Sequence, residues 1–489
     1  MSNLPPSIED AARSSAAPTM ARITFARLLE NGTDPDELHP ALATTVASVA
    51  SASPSLGRLV LSDVDALSVL ASSSEGAASL ANSEDAARLD PRQASDQEDL
   101  VRRKRLSYLR IAARDLAGLD GLEEVGRALS VLADRVLDGA VRLAGAEGIA
   151  VIAMGKHGAA ELNYASDVDV LLVSESGLET AEASARARRL LRIAGTAFRI
   201  DTDLRPEGRN GVIVRTLDSY EAYWERWARP WEFQALLKAR PSAGAVELGD
   251  RFLEGAETAV WGRTLDSDAI AELRSMKARS EAVISRRGVT DRELKRGPGG
   301  IRDIEFSIQL LQLVHGGADR ALRERSTLGA LGELSSAGYV APDDGVSLGL
   351  AYRFLRTVEH RLQLVEEAQV HTVPREGEAR DLLARVLGFL VLPTGGRSDD
   401  GAGSRRTTDR FDLVLNRYRA AVRSIHERLF FRPLLEVFGG GDSAPTAARF
   451  SPEAAAERLA AFGFRDAGRT RQALAELTRG LTRSSRLMQ

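Results

Sequence analysis

The sequence predicts an α+β fold: a small mixed α/β unit embedded in a mainly α-helical protein, with helical bundle domains before and after it. Three observations imply this. Apolar residues recur at three- and four-residue spacing from Asp99 to Leu143, as in Leu100, Leu106, Leu109, Leu122, Val125, Leu129 and Leu132. The period then switches to two short branched runs, 149–154 and 168–173, too short for helices and bounded by turn residues. After Arg215 the helical spacing returns and persists to about residue 434.

In chain order, residues 1–97 are Ala/Ser-rich and read as short helices joined by polar linkers (71–75 and 82–85), poorly defined and partly disordered. Residues 98–145 form a helical lead-in of two helices, broken near Gly118 and Gly121. The α/β unit spans 146–245, with a helix over about 179–197 and a third strand from Phe198 to about Leu204. Helical spacing resumes near 216–239, within that unit, and a helical bundle domain follows over 246–438, with helical segments near 269–287, 301–316, 323–337, 346–371 and 410–434. A Gly-rich linker interrupts it at 395–404, and residues 439–489 read as a linker and a short helical C-terminal piece.

Composition excludes several functions. The 489 residues carry 65 basic and 69 acidic side chains, a formal charge of −4, which leaves no footprint for wholesale binding to nucleic acid or a membrane surface. With no Cys there is no disulfide, thiolate nucleophile or cysteine-ligated metal. No apolar run approaches the ~18 residues of a membrane helix, and the first twenty residues lack the basic start and apolar stretch of a signal peptide, so a cytoplasmic protein is expected. Of the basic residues 60 are Arg and only five are Lys: Lys104, Lys156, Lys238, Lys277 and Lys295.

The sharpest local pattern is Ser166-Asp-Val-Asp-Val170, whose Asp167 lies twelve residues after the glycine turn at Gly155. In a strand Asp167 and Asp169 share a face, and two adjacent carboxylates need something positive between them. Mg²⁺, which takes one or two carboxylates plus substrate phosphates, meets that need. Asp201, on the third strand, is a candidate third ligand. A glycine turn, Asp-x-Asp on the next strand and a later strand Asp form the arrangement of a polymerase-β-like nucleotidyltransferase unit, in which metal ions clamp a phosphate for in-line displacement. Asp203 shares the face of Asp201 but reads as exposed or paired to an arginine. Lys156 lies in the turn beside the phosphate position.

Other patterns keep two meanings at this stage. Gly297-Pro-Gly-Gly300 before a helix, with Lys295 and Arg296 upstream, reads as a phosphate cradle at a helix N-terminus or as a plain tight turn. The polar stripe Arg302, Glu305, Gln309 and Gln312 is either a solvated face or one aimed at a neighbouring domain. Tyr220, Trp224, Trp227 and Trp231 read as a core stripe in preference to a base-stacking platform, with Pro230 kinking the helix. Glu359 sits in an apolar stripe and requires a partner, with Arg356 and Arg361 as candidates. The six His show no metal-ligand spacing and no hydrolase triad is present.

Together, Met154-Gly-Lys-His-Gly-Ala-Ala-Glu-Leu-Asn-Tyr-Ala-Ser-Asp-Val-Asp169, Leu204-Arg-Pro-Glu-Gly-Arg209, Glu225-Arg-Trp-Ala228, Trp231-Glu232, 234–240, 295–306 and Glu359-His-Arg-Leu-Gln363 resemble the motifs of the glutamine synthetase adenylyltransferase/adenylyl-removing enzymes. The resemblance runs from about Asp99 to Phe438 and is strongest to the N-terminal, deadenylylating half of an actinobacterial-type member. It implies Mg²⁺-dependent phosphorolysis: phosphate attacks the AMP phosphorus on a modified glutamine synthetase tyrosine and releases ADP. It implies that Asp167, Asp169 and Asp201 hold Mg²⁺, that Gly155 and Ser166 shape the phosphate turn, and that Lys156 and Arg205 neutralise phosphate charge. His157, Ala159 and Asp203 depart from the family pattern. The same site running ATP-dependent adenylylation, or a non-catalytic module binding glutamine synthetase or a PII signal protein, remain as alternatives. Lys156, Lys238 and Lys295 all fall in the motif blocks, where a compact ammonium is not interchangeable with a guanidinium fork, which marks them as phosphate-handling candidates.

Overall fold

A computed structural model of the chain describes residues 4–73, 88–263, 267–366, 368–389 and 400–438. Helices α1 (Pro6–Ser14), α2 (Pro18–Glu30), α3 (Pro40–Ala52), α4 (Pro54–Ser62) and α5 (Ala66–Ser73) come first. Four of them start on proline, where the missing N–H leaves nothing unsatisfied. Their apolar faces share one core with α6 (Gln97–Leu116) and α7 (Leu122–Ala144), the two helices on either side of Gly118 and Gly121. Gly145 ends α7 in the left-handed conformation.

The chain then enters a mixed sheet: β1 (Ile149–Ala153), one turn of helix α8 (Gly155–Gly158), β2 (Val168–Ser174), α9 (Thr180–Ala194), β3 (Ile200–Asp201), β4 (Arg215–Thr216), α10 (Leu217–Arg226), α11 (Pro230–Leu236) and β5 (Arg240–Gly244). Strand order is β3-β2-β1-β5, with β4 also pairing β2; β1 is antiparallel to β2 and β5, whereas β3 and β4 run parallel to β2. Ile149 and Val151 of β1 join the α1–α7 core, while Ala150 and Ile152 face a second core. Because both faces are covered, β1 reads as an unbroken apolar run.

That second core is built with α10, α11, α12 (Val246–Trp261), α13 (Ser267–Arg286) and α14 (Ile301–His315). A third joins α14 to α15 (Thr327–Ser336), α16 (Pro342–Glu366), α17 (Glu378–Val386) and α18 (Asp400–Phe438). Helix α14, with Ile301, Ile304, Ile308 and Leu311 in one core and Leu310 and Leu313 in the other, joins the two.

Several expectations change. The third strand is only Ile200–Asp201, because the Asp201 carboxylate accepts the Asp203 N–H at 2.7 Å and turns the chain. Pro230 does not kink one helix but starts a new one: α10 ends at Arg226, leaving Trp227 exposed while Tyr220 and Trp224 are buried. Strand β5 and helices α12 and α17 were not expected. The second half of the 395–404 linker belongs to α18; residues 395–399, 74–75, 82–85 and 439–489 lie outside the described residues. Among the described residues no helix is long and apolar enough to cross a membrane.

Three histidines are buried at the seams of this fold. His157 Nε2 lies 2.7 Å from Asp134 Oδ1, His360 Nε2 lies 3.1 Å from Asn163 Oδ1, and His426 Nδ1 lies 2.7 Å from Ser307 Oγ. Burial lowers the pKa of all three, His360 well down and His426 to about 4. The folded chain therefore resists protonating them, whereas the unfolded chain takes up these protons as pH falls below about 6.5. Folding stability should fall from pH 6.5 downward, by up to about 1.4 kcal/mol per pH unit for each histidine, levelling for His426 near its folded value and offset in part by the Asp169 carboxyl, whose raised value acts in the opposite sense. Urea midpoints measured between pH 7.5 and 5 should show this slope, and His426→Gln should flatten it; a midpoint independent of pH would contradict it.

Candidate active site

Asp169 and Asp201 are register partners on the parallel strands β2 and β3, so their carboxylates stand side by side. Asp167 immediately precedes β2. Burial first, then Asp201 and Asp167, push the Asp169 carboxyl up to about 7 against the pull of Lys295 and Lys156. A carboxyl raised in this way lacks a positive partner, which fits a hard cation at Asp169 and Asp201. Asp167 is turned aside: its Oδ1 accepts from Arg199 Nε and its Oδ2 accepts from Gln369 Nε2 at 3.0 Å. As the side chains stand, no three acidic or histidine groups among the described residues converge as metal ligands.

The glycine turn sits on these acids. Gly155 has φ +53°, and a Cβ there would lie 2.6 Å from Asp169 Oδ2. The turn needs glycine both for its backbone conformation and for its closeness to the carboxylate. Ser166, partly buried, lies between Ala165 and Asp167. His157 and Ala159, the departures in the turn, are buried; His157 joins Asp134, which Arg240 and Ser242 also grip, and so ties α7 to β5. Asp203 pairs with Arg209 at 2.6 Å.

The lysines divide into two kinds. Lys156 is buried, its Nζ 3.4 Å from Glu359 Oε2 on α16. Burial pushes this ammonium down, and Glu359 opposes that. Burial works against the Glu359 charge, but Lys156, His371 at 2.7 Å and Arg356 at 3.2 Å hold the carboxyl well below its usual range. Arg361, the other expected partner, instead grips Asp115 with its two Nη atoms. Lys238 bonds Glu161 at 3.1 Å and Thr327 Oγ1 at 3.2 Å. Lys295 has no ion pair among the described residues, and its charge acts on both Asp169 and Lys156. Arg205 is spent within its own loop, donating to the carbonyls of Thr202, Arg209 and Gly211.

Gly297–Gly300 is a tight turn, not a phosphate cradle. Gly299 N–H donates to Asp303 Oδ2 at 2.8 Å, and the amides of Ile301 and Arg302 bond Leu294 and Lys295 carbonyls, so the N-terminus of α14 is filled. The polar stripe of α14 faces neighbours: Gln309 accepts from Gln234 at 2.7 Å, Arg302 donates to Ser280, and Glu305 stands 4.0 Å from Lys238.

Helix α16 grips the segment 161–165 that runs into the acids. Arg356 donates to the Glu161 carbonyl and to Asn163 Oδ1, both at 2.6 Å; Gln363 accepts the Ala165 N–H at 2.9 Å; Arg361 reaches Asp115, which also accepts from Tyr164 Oη at 2.8 Å. Sequence reasoning gave no role to Glu161, Asn163, His360, Gln363 or Gln369, although all but Gln369 lie in quoted motif blocks.

Two family models match the chain: glutamate-ammonia ligase adenylyltransferase over residues 43–255 and GlnD PII-uridylyltransferase over residues 271–430. Proteins named bifunctional glutamine synthetase adenylyltransferase/adenylyl-removing enzyme are 42% identical to it in Streptomyces avermitilis and Streptomyces coelicolor, over 80% of this chain and 40% of each relative. The namesake from Mycobacterium tuberculosis is 42% identical over 75% of the chain and 37% of its own length. The chain belongs to the glutamine synthetase adenylyltransferase family. It spans about two fifths of the length of these curated relatives. The first family match begins within α3, well ahead of the expected Asp99, so it takes in most of α3 together with α4 and α5.

Substituting Gly155 tests how tightly the turn and the acids fit. Gly155→Ala should lower folding stability by about 1–2 kcal/mol from its backbone conformation alone. Gly118→Ala, which shares the backbone cost at φ +69° but whose added Cβ meets nothing within 4 Å, is the control. Equal urea midpoints for the two variants would contradict the close packing.

Proposed function

We propose that this chain is a Mg²⁺-dependent nucleotidyltransferase that removes AMP from an adenylylated tyrosine of glutamine synthetase by phosphorolysis, yielding ADP and free tyrosine. The observation that carries it is the in-register pair Asp169 and Asp201, with Asp167 two residues away and the Gly155 turn packed on the Asp169 carboxylate. Asp169 and Asp201 would hold the cation, joined by Asp167 when it leaves Arg199 and Gln369. When bound, Mg²⁺ supplies Lewis-acid polarisation at phosphorus and neutralises the departing phenolate. The resemblance of Arg205-Pro-Glu-Gly-Arg209 and Glu225-Arg-Trp-Ala228 to the deadenylylating half supports this direction of reaction.

The remaining work falls to the chain's own residues. Lys295 is the ammonium open towards the acids and is suited to meet an incoming phosphate; Lys156, already paired with Glu359, adds charge from behind the turn. Lys238 and Arg205 hold the walls. Gly155 and Ser166 would shape the turn that receives the phosphate. A PII-type protein as regulator, and ATP as the substrate of the reverse modification, belong to the same proposal.

Incubation of the purified chain with adenylylated glutamine synthetase and Mg²⁺ tests it. Phosphate should release ADP, and Asp169→Asn or Asp201→Asn should cut the rate by at least about a hundredfold with the fold intact by circular dichroism. AMP incorporation from ATP into unmodified glutamine synthetase, without phosphate-dependent ADP release, would reverse the direction. Binding of glutamine synthetase with no turnover in either direction would reduce the chain to a docking module.

A further inference from the structure

A hollow of about 270 Å³ lies between α4, α6 and α16, and none of Gly155, Asp167, Asp169 and Asp201 lines it. Its wall includes Tyr164 and Ala165, and among the described residues no acidic side chain lines it. Lys104 does, with its ammonium 4.6 Å from the Tyr108 ring centroid and 4.7 Å from that of Phe198. No carboxylate pairs with that ammonium among the described residues. Burial, with Arg105 adding to it, pushes Lys104 down to about 8, the mark of a cation without a counter-charge.

The second donor is Gln363, 1% exposed. Its Oε1 accepts the Ala165 N–H at 2.9 Å, which fixes which end of the amide is oxygen, and its Nε2 has no hydrogen-bond partner. An amide N–H₂ buried without an acceptor costs free energy that a ligand oxygen would recover. Leu56, Leu59 and Leu364 complete the lining with aliphatic surface. The volume lies below the roughly 300 Å³ at which drug-sized sites begin, so the occupant has a handful of heavy atoms.

We propose that this hollow binds a small aliphatic carboxylate, its anionic head held by the Lys104 ammonium and the Gln363 amide and its chain laid on Leu56, Leu59 and Leu364. An inorganic oxyanion would satisfy the donors but leave the leucines without a partner. The site is wired to the acids. Gln363 also holds Ala165, and Tyr108 Oη donates to the Tyr164 carbonyl at 2.9 Å, so two of the anchors of the segment leading to Asp167 border the ligand. The proposal does not rest on the reaction assigned to those acids.

Calorimetric titration of the full chain with succinate, butyrate and inorganic phosphate provides the test, together with trace acetylation of the five lysines read by peptide mass spectrometry. One of the carboxylates should bind saturably below about 10 mM, and Lys104→Met and Gln363→Leu should each weaken it about tenfold or more. Asp201→Asn should leave it unchanged. In the unmutated chain the bound carboxylate should slow acetylation of Lys104 and not that of Lys295, a readout that survives if a variant fails to fold. No saturable carboxylate binding, tighter binding of phosphate than of either carboxylate, or binding that leaves Lys104 unprotected would overturn the proposal.

Discussion

The buried contact between Lys156 and Glu359 joins the turn beside the acids to the helical domain 203 residues further along the chain. Neither charge is tolerable alone at that depth. A solitary buried ion costs several kcal/mol, and truncating one partner strands the other. Glu359 is fully buried and gathers Lys156, Arg356 and His371 around one carboxylate, so the turn, α16 and the segment after it close on a common point. From there charges alternate outward: Glu305 faces Lys238, and Lys238 faces Glu161, whose own carbonyl is held by Arg356. Loss of Glu359 would leave the buried Lys156 in the turn without its ion-pair partner.

This arrangement explains why a small sheet is set within so much helix. Strands β1, β2 and β3 place Asp169 and Asp201 side by side, but the loop from Glu161 to Ser166 has little regular structure of its own. Helix α16 supplies it from outside, with Arg356, His360, Arg361 and Gln363 on successive turns. Domain position thereby becomes a property of the site, since a shift of α16 would move Ala165 and with it the approach to Asp167.

Much of the fold is legible because it follows period. The heptad stripes of α6, α7, α14 and α16 and the branched runs of β1 and β2 lie where spacing puts them. Strand β5 is Arg-Pro-Ser-Ala-Gly, an edge strand with none of the β-branched residues that signal one, and it forms because β1 needs a neighbour. The tryptophan stripe keeps its rhythm past the end of α10, so Trp227 carries a core signal but stands in solvent. At the candidate site, strand parity and turn chemistry agree with the placement of Asp169, Asp201 and Gly155, whereas Asp167, expected on the same face as Asp169, precedes the strand and turns to Arg199 and Gln369. The electrostatic setting of these groups was not legible. The rarity of lysine singles out Lys156 and Lys238 as phosphate-handling candidates, and the fold pairs them with Glu359 and Glu161, which no local pattern matches to them. Arg361 was an equally good partner for Glu359 by spacing, but the fold gives it to Asp115.

A double-mutant cycle on Lys156→Met and Glu359→Gln measures this joint most directly. If the buried pair couples the turn to α16, the two single variants and the double variant should show a coupling energy of about 1–3 kcal/mol in urea unfolding. Additivity within about 0.5 kcal/mol would mean that the turn and the helical domain are held by something else.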